Sequence, residues 1–575
     1  MILLMMLPLP ARAADPAPST QPEVSGAQIL QDLKAFANTG SVLMIAAHPD
    51  DENTQLLTYL ARGRHYRTAY LSLTRGDGGQ NLLGPEFGAE LGLIRTEELL
   101  AARRIDSAQQ FFTRALDFGF SKRADETLRI WDQEAITADI VRVIRTFRPD
   151  VIVTRFNPDI PGGVGTHGHH TASAILAREA FNLLAKDPNA FPEQLKEGLQ
   201  AWQPKRIFMN TGGPGGRGGG GEGADTVRMD ISGTDAVRGI SYGAIAAESR
   251  SQHKTQGFGQ VPAILGGGRG NPGASRPETF TLLGGEAATN DVMDGIDTTW
   301  ARFKGGEKIA KLTDEAIKNF NVENPAASVP ALLAIHQQLT RIFDSGNPVF
   351  QAKGRQLNDL IAHCLGLTVQ TTVANAQVLP GETLHLHCTV AFTALTPVTL
   401  LLSEDRISGP PPTRVELTPG TPFERDFILT LPATTPVSQP YWLRQEAAPG
   451  LFRVADSRLI GLPTDPPVHP LYYEFDVGGE LPILDDQPVQ VVPKASAAQT
   501  RRPLEVLAPV SLAFPFDVAL FAPGESKPME VTVTANIADA AGDLRLTAPT
   551  GWKVEPSTQR FKSSASSSTS ARFTL

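Results

Sequence analysis

The sequence predicts an α/β fold: a parallel-sheet catalytic domain, then a helical segment, then C-terminal β-sandwich domains. Three observations predict it. Apolar runs at 41–46, 67–73 and 150–155 alternate with stretches of helical periodicity, from about 52, at 90–104 and from 170. Between about 307 and 366 the pattern is helical, notably at 308–312 and 329–343. Beyond about 368 it changes to short alternating runs separated by Pro and Gly, the pattern of a sandwich. A length of 575 residues fits three or four domains at roughly 150 residues each.

Residues 1–10 form an apolar run, and Ala11-Arg12-Ala13 gives it an Ala-x-Ala ending. That anatomy reads as a secretory signal over 1–14, cleaved after Ala13 or Ala14, and predicts a periplasmic or secreted protein. The run is too short for a bilayer, which needs about 20 residues, and no other transmembrane segment is evident. No Lys or Arg precedes it, which leaves room for a start codon upstream.

The 41–46 strand leads directly into Ala47-His48-Pro49-Asp50-Asp51-Glu52. A histidine and two carboxylates thus emerge where a strand ends, the place where open α/β sheets bind ligands. The plain structural reading is a turn whose Asp caps the next helix. The chemical reading is two metal ligands, His48 and Asp51, with a separate carboxylate, Asp50, as general base.

The 67–73 strand runs into Thr74-Arg75-Gly76-Asp77-Gly78-Gly79, a Gly-rich loop that lets backbone approach a ligand. The helix at 90–104 carries Arg95. After the third strand, a Pro- and Gly-rich loop reaches Thr166-His167-Gly168-His169-His170-Thr171, and a helix follows. Three of the eleven His fall within four positions there, and His167 and His170 share a face at the helix start. With His48 and Asp51 this makes a His and carboxylate set suited to zinc, which keeps an open position for water. Which His takes which role is not fixed by spacing. A dinucleotide-binding site is the alternative for such a sheet, but the first strand-to-helix turn carries His and Asp where G-x-G-x-x-G belongs.

The two terminal motifs, Ala47-His48-Pro49-Asp50-Asp51-Glu52 and His167-Gly168-His169-His170, resemble the PIG-L (LmbE-like) zinc-dependent N-deacetylase family over roughly 25–305. The resemblance implies a Rossmann-like domain binding Zn2+ through His48, Asp51 and His170. It implies Asp50 as general base and His167 as the group that stabilises the tetrahedral intermediate. The Thr74–Gly79 stretch resembles the family's Thr-x-Gly-acid-x-Gly loop, and the 90–104 helix resembles the one whose Arg reaches substrate. Asp77 and Arg95 are therefore implied in substrate binding. The family often has Pro-Asp between its closing histidines. Here Gly168-His169 stands instead, which makes His169 an alternative ligand. Ser251-Gln252-His253 resembles a family helix loosely, and His253 is read as structural.

The resemblance implies an amidohydrolase removing an acyl group, foremost acetyl, from an N-acetylglucosamine-type sugar or glycoconjugate, and the signal anatomy of residues 1–14 predicts that it is secreted. Two other readings stand beside it: a glycan-binding protein with a degenerate enzyme domain, and an amidase on a non-sugar conjugate. The net charge of −9 offers no broad basic surface to nucleic acid. The predicted boundaries are 25–305 for the deacetylase domain, 306–366 for a helical connector, and 367–490 and 500–575 for two sandwiches. The last strand-like run, at 572–575, leaves the second sandwich short of the usual size, and so leaves room for the chain to continue. Cys364 and Cys388 could pair on export, but spacing does not decide it. His385 and His387 share one face of a strand whose other face takes Cys388, a solvent-facing pair opposite a buried thiol. The Gly-rich stretches at 211–221 and 266–273 read as flexible loops by composition.

Overall fold

The structure is a computed structural model that describes residues 24–159, 167–211, 225–259, 277–402, 412–493, 499–516, 518–564 and 567–575. The signal-like residues 1–14 and the Gly-rich stretches at 212–221 and 266–273 lie outside these. Strand β1 (Ser41–Ala46) is buried at all its positions because both faces of its sheet are covered. Leu43 and Ile45 enter one core, while Val42, Met44 and Ala46 enter the other. This two-sided burial is why the strand reads as a continuous apolar run.

Strands β2 (Arg67–Ser72), β3 (Gln109–Phe112), β4 (Val151–Thr154) and β5 (Arg206–Asn210) join β1 in parallel. Strands β6 (Thr226–Asp230) and β7 (Pro277–Gly285) finish the far side, where β7 runs antiparallel to both β5 and β6. The seven-stranded order is β3-β2-β1-β4-β5-β7-β6. The antiparallel end was not anticipated from the sequence.

Helix α1 (Gly26–Ala37) precedes the sheet, and α2 (Thr54–Thr58) and α3 (Ala89–Asp106) cover one face. Next come α4 (Ala124–Ile130), α5 (Gln133–Phe147) and α6 (Gly168–Lys186), of which α5 and α6 cover the opposite face. Helix α7 (Pro192–Lys196) is a short turn, and α8 (Tyr242–Arg250) packs on α2 and α3. The chain leaves β1 toward β2 on one side, while β4 flanks it on the other. A crevice therefore opens at their carboxyl ends.

Helices α9 (Glu307–Lys318), α10 (Val329–Ile342) and α11 (Pro348–Leu365) fulfil the helical expectation, but they are more than a spacer. Their apolar faces share one core with Ile29, Leu33 and Phe36 of α1 and with Cys388, Leu400 and Phe475 of the following strands. Those strands form a five-stranded and a four-stranded sheet. Three- and two-stranded sheets follow within 510–574. Strand Thr383–Ala391 alternates as expected: Cys388 is buried, and His387 pairs with Asp426 at its surface. Cys364 and Cys388 are both free thiols, and burial pushes the Cys364 thiol up to about 12. Among the described residues, no helix is long and apolar enough to cross a membrane.

Leu43 is fully buried in the central strand. Leu43→Ala should weaken this domain by about 2–5 kcal/mol in urea unfolding, the usual cost of a large-to-small core change.

Candidate active site and metal centre

Where β1 ends, the chain makes a turn in which Asp51 N–H bonds to His48 O (3.3 Å) and Asp50 adopts φ 94°. A non-glycine residue at such an angle costs about 1–3 kcal/mol and needs surrounding structure to hold it. Arg95 of α3 donates to Pro49 O and to Asp50 Oδ1 (3.2 Å). Glu52 Oε2 accepts Asp50 N–H (2.9 Å), Arg250 donates to Asp50 O (3.3 Å), and Tyr70 OH donates to His48 O. Glu52 is in turn gripped by Arg103 (3.2 Å) and His253 (2.8 Å), with Asp106 and Ser249 completing a buried network. Burial alone would raise Glu52, but His253 and Arg103 override it and hold the carboxyl well below its usual range. His253 is thus a buried support, as its reading as structural implied.

The cap of α2 is Asn53, whose side chain accepts Leu56 N–H (3.1 Å). Capping therefore consumes neither Asp50 nor Asp51. Asp51 lies between two histidines, with Oδ2 3.2 Å from His48 Nδ1 and Oδ1 3.3 Å from His170 Nε2. One ligand atom from each of His48, Asp51 and His170 lies within 4.8 Å of the others. Two imidazole nitrogens and a carboxylate oxygen converging in this way fit a catalytic zinc with three protein ligands. Burial would raise Asp51, but His170 and His48 hold it well below the normal range. Asp50 is raised, first by burial and then by Asp51 and Glu52, against the pull of Arg95.

His169 is wholly buried, packed against Phe118 (4.4 Å between ring centres) and Trp131 (4.7 Å). Its Nδ1 lies 3.0 Å from His48 Nε2, the nitrogen that faces away from Asp51. Asp117 stands beside both rings, at 3.8 Å from His48 Nε2 and 3.5 Å from His169 Nδ1. His169 and Asp117 therefore back His48, which fits the partners that orient a ligating imidazole. One ligand atom from each of His48, His167 and His169 also falls within 4.8 Å, so His169 keeps an alternative grouping.

The local reason for Gly168 is close packing. A Cβ there would sit 2.6 Å from Arg123 O and from Ser121 Oγ, and Gly168 N–H bonds to Ser121 O (2.7 Å). Proline at this position would lose that donor.

His167 is the N-cap residue of α6, and its Nε2 accepts Ser121 N–H (3.3 Å). The neutral ring then carries its proton on Nδ1, a buried atom with no protein partner. Burial, and after it His48 and His170, bring this histidine down to about 4. The group is thus a neutral donor more than a cation. Phe156 stacks on His170 with ring centres 4.0 Å apart, and Phe120, 73% exposed, meets His167 edge-on.

The two residues implied in substrate binding are placed differently from that expectation. Arg95 and Asp77 are each only 3% exposed. Arg95 is spent on the Pro49–Asp50 turn and on Gly76 O, and Asp77 Oδ1 accepts Asp117 N–H (3.3 Å). Their burial makes them positioning groups behind the site. Sequence reasoning missed Asp117, Tyr70 and Arg250, which carry no local motif.

Residues 43–181 match the family described as PIG-L: GlcNAc-PI de-N-acetylase. A 1D-myo-inositol 2-acetamido-2-deoxy-alpha-D-glucopyranoside deacetylase of Streptomyces scabiei is 30% identical over 188 residues, covering 29% of this chain and 55% of that one. A mycothiol S-conjugate amidase of Streptomyces coelicolor is 26% identical over 187 residues, covering 30% and 60%. The chain thus spans little more than half the length of these curated relatives. Among solved structures, an N,N'-diacetylchitobiose deacetylase from Pyrococcus horikoshii aligns at TM-score 0.28 and 18% identity, over 40% of this chain and 74% of that one. That likeness is too weak to bear on fold or function.

Burial, and next the charge of Asp117, push Asp77 up to about 7. Its folded value lies above its unfolded one, so ionisation opposes folding as pH rises between them. In protein treated with chelator, Asp77→Asn should match wild-type stability near pH 4. It should gain on wild type progressively up to pH 7, measured by urea unfolding across that range.

Proposed function

Taking the PIG-L domain at residues 43–181 as premise, we propose that this protein is a zinc-dependent amidohydrolase that removes acetyl from an N-acetylglucosamine-type sugar or glycoconjugate. The observation that carries the reading is the division of labour at the turn. His48, Asp51 and His170 converge on one point, while Asp50, with Oδ1 tied to Arg95, stays outside the trio. A purely structural metal site has no use for that additional carboxylate. The name of the Streptomyces scabiei relative, a deacetylase of an acetamido-deoxy-glucopyranoside, supports the substrate class.

Zinc held by His48, Asp51 and His170 would polarise the amide carbonyl and bring the pKa of water toward about 7. Asp50 Oδ2, the oxygen not engaged by Arg95, takes the proton of the attacking water. The same carboxyl then returns it to the leaving nitrogen, so that amide and water become carboxylic acid and amine. His167, whose Nδ1–H has no partner within the protein, takes the role of donor to the oxygen that gains charge during attack. The stacked Phe156 fixes the plane of His170. Arg95, Glu52 and Arg250 keep Asp50 from relaxing out of its strained angle.

The mycothiol S-conjugate amidase relative supports a second substrate, the amide of a thiol conjugate. Acetate or carboxylate release from a panel of N-acetylated sugars and such conjugates, read alongside zinc content by mass spectrometry, tests both. Wild type should bind one zinc and lose activity to chelator, with recovery on adding zinc. Asp50→Ala should retain zinc and lose about 10²–10⁴-fold in kcat, the usual range for a general base. His170→Ala should lose the metal. Absence of zinc, or zinc without Asp50-dependent cleavage of any amide, overturns the reading and favours a binding protein.

We further propose export, on the signal anatomy of residues 1–14. Expressed in a bacterial host, the mature protein should fractionate with the periplasm or medium and begin at Ala14 or Asp15 by amino-terminal sequencing. Cytoplasmic recovery with the leader intact would contradict it.

A further inference from the structure

Between the strands Phe423–Thr430 and Leu471–Asp476 the chain leaves its own sheets and runs across the edge of the parallel sheet. We propose that this segment, residues 440–463, is a strap that positions the metal-binding histidines and the base, so that the catalytic unit extends into the C-terminal half of the chain. The proposal rests on the functional reading above for its catalytic consequence and on geometry for the rest.

Two connections lead from the strap to the site. The first is Arg75, which is 1% exposed. Its guanidinium donates to Pro463 O (3.0 Å), Leu462 O (3.3 Å) and Tyr441 OH (3.2 Å), and on its own domain to Thr96 Oγ1 (3.0 Å). It lies over Phe112 and Trp442, at 4.2 and 4.6 Å from the ring centres. A buried cation is costly without such partners, and the strap provides most of them. Arg75 is bonded to Gly76, whose carbonyl accepts Arg95 (3.2 Å), and Arg95 holds the Pro49–Asp50 turn.

The second connection is backbone pairing. Phe112 N–H bonds to Gly461 O (3.1 Å), Leu116 N–H to Gly450 O (3.0 Å), and Phe452 N–H to Arg114 O (2.8 Å). Gly450 takes φ 78°, and a Cβ on it would fall 2.0 Å from Ile130 O, so the strap lies hard against the end of α4. The clamped residues continue without a break into Asp117, Phe118, Phe120 and Ser121, the residues that back His48, His169 and His167.

The test uses the full chain with Trp442→Ala and Gly450→Ala. The control is Ile428→Ala, an exposed residue of the strand that leads into the strap. Three quantities are read: zinc affinity by chelator competition, kcat and KM on the best amide, and hydrogen exchange at 113–121. The strap variants should bind zinc about 10–100-fold more weakly, as loss of support around metal ligands does. They should lose kcat by a similar factor with KM within about twofold, and exchange faster at 113–121 while 41–46 stays protected. Ile428→Ala should match wild type. If Trp442→Ala does not fold, Arg75→Lys, which keeps the charge but loses the fork of donors, gives the same readouts.

Wild-type zinc affinity and wild-type exchange at 113–121, in variants whose own 448–463 amides have opened, would overturn the proposal. If wild-type protein cleaves no amide at all, the functional reading falls. The strap is then still judged, for or against, by zinc affinity and exchange.

Discussion

Asp50 sits at a backbone angle that an ordinary residue avoids, and the bonds that keep it there tie together four separate parts of the chain. Arg95 comes from α3, Arg250 from the end of α8, Tyr70 from β2, and Glu52 from two residues along. Hydrogen bonds to charged groups contribute about 1.5–3 kcal/mol each, so a few of them outweigh a strain of about 1–3 kcal/mol. The result is a turn that faces two adjacent aspartates in different directions. Asp51 enters between two imidazoles, and Asp50 lies against a guanidinium.

How much of this was legible in the sequence depends on how local each cause is. Strand β1 was readable to the residue, because burial on both faces writes an unbroken apolar run. The opening motif was readable because its residues are consecutive. The choice between a capping Asp and a ligand Asp was not, since it turns on Asn53 taking the cap. Asp117 and Arg250 escaped notice because each reaches the site from a distant loop or helix end with nothing periodic around it. The burial of Arg95 and Asp77 follows from the packing of α3 over the Gly-rich loop, a tertiary fact that no spacing records. His169, an alternative ligand in the sequence, lies behind His48 and still groups with His48 and His167, with Gly168 tucked against Ser121 and Arg123.

The organisation of the chain beyond residue 305 shows the same limit more sharply. The helices α9 to α11 were evident from periodicity, but their shared core with α1 joins residues some three hundred positions apart. The contact of Arg75 with Pro463 spans 388 residues and involves a stretch with neither helical nor strand pattern. In the sequence it falls inside the span read as the first sandwich, 367–490. Most of its hydrogen-bonding groups are backbone atoms, which every residue has and which therefore leave no mark in composition.

Strand β3 is the outermost strand on its side of the parallel sheet, and an unprotected outer strand offers unpaired backbone groups to any passing chain. Here Gly461 covers the end of that edge by accepting Phe112 N–H, and Phe452 and Gly450 pair with Arg114 and Leu116 just beyond it. The C-terminal half thus covers part of an edge that would otherwise be open to pairing. A version of the protein cut back to the motif-bearing region would bare both the strand edge and the apolar surface around Leu116 and Phe112, and would tend to precipitate even with every residue of the metal trio intact.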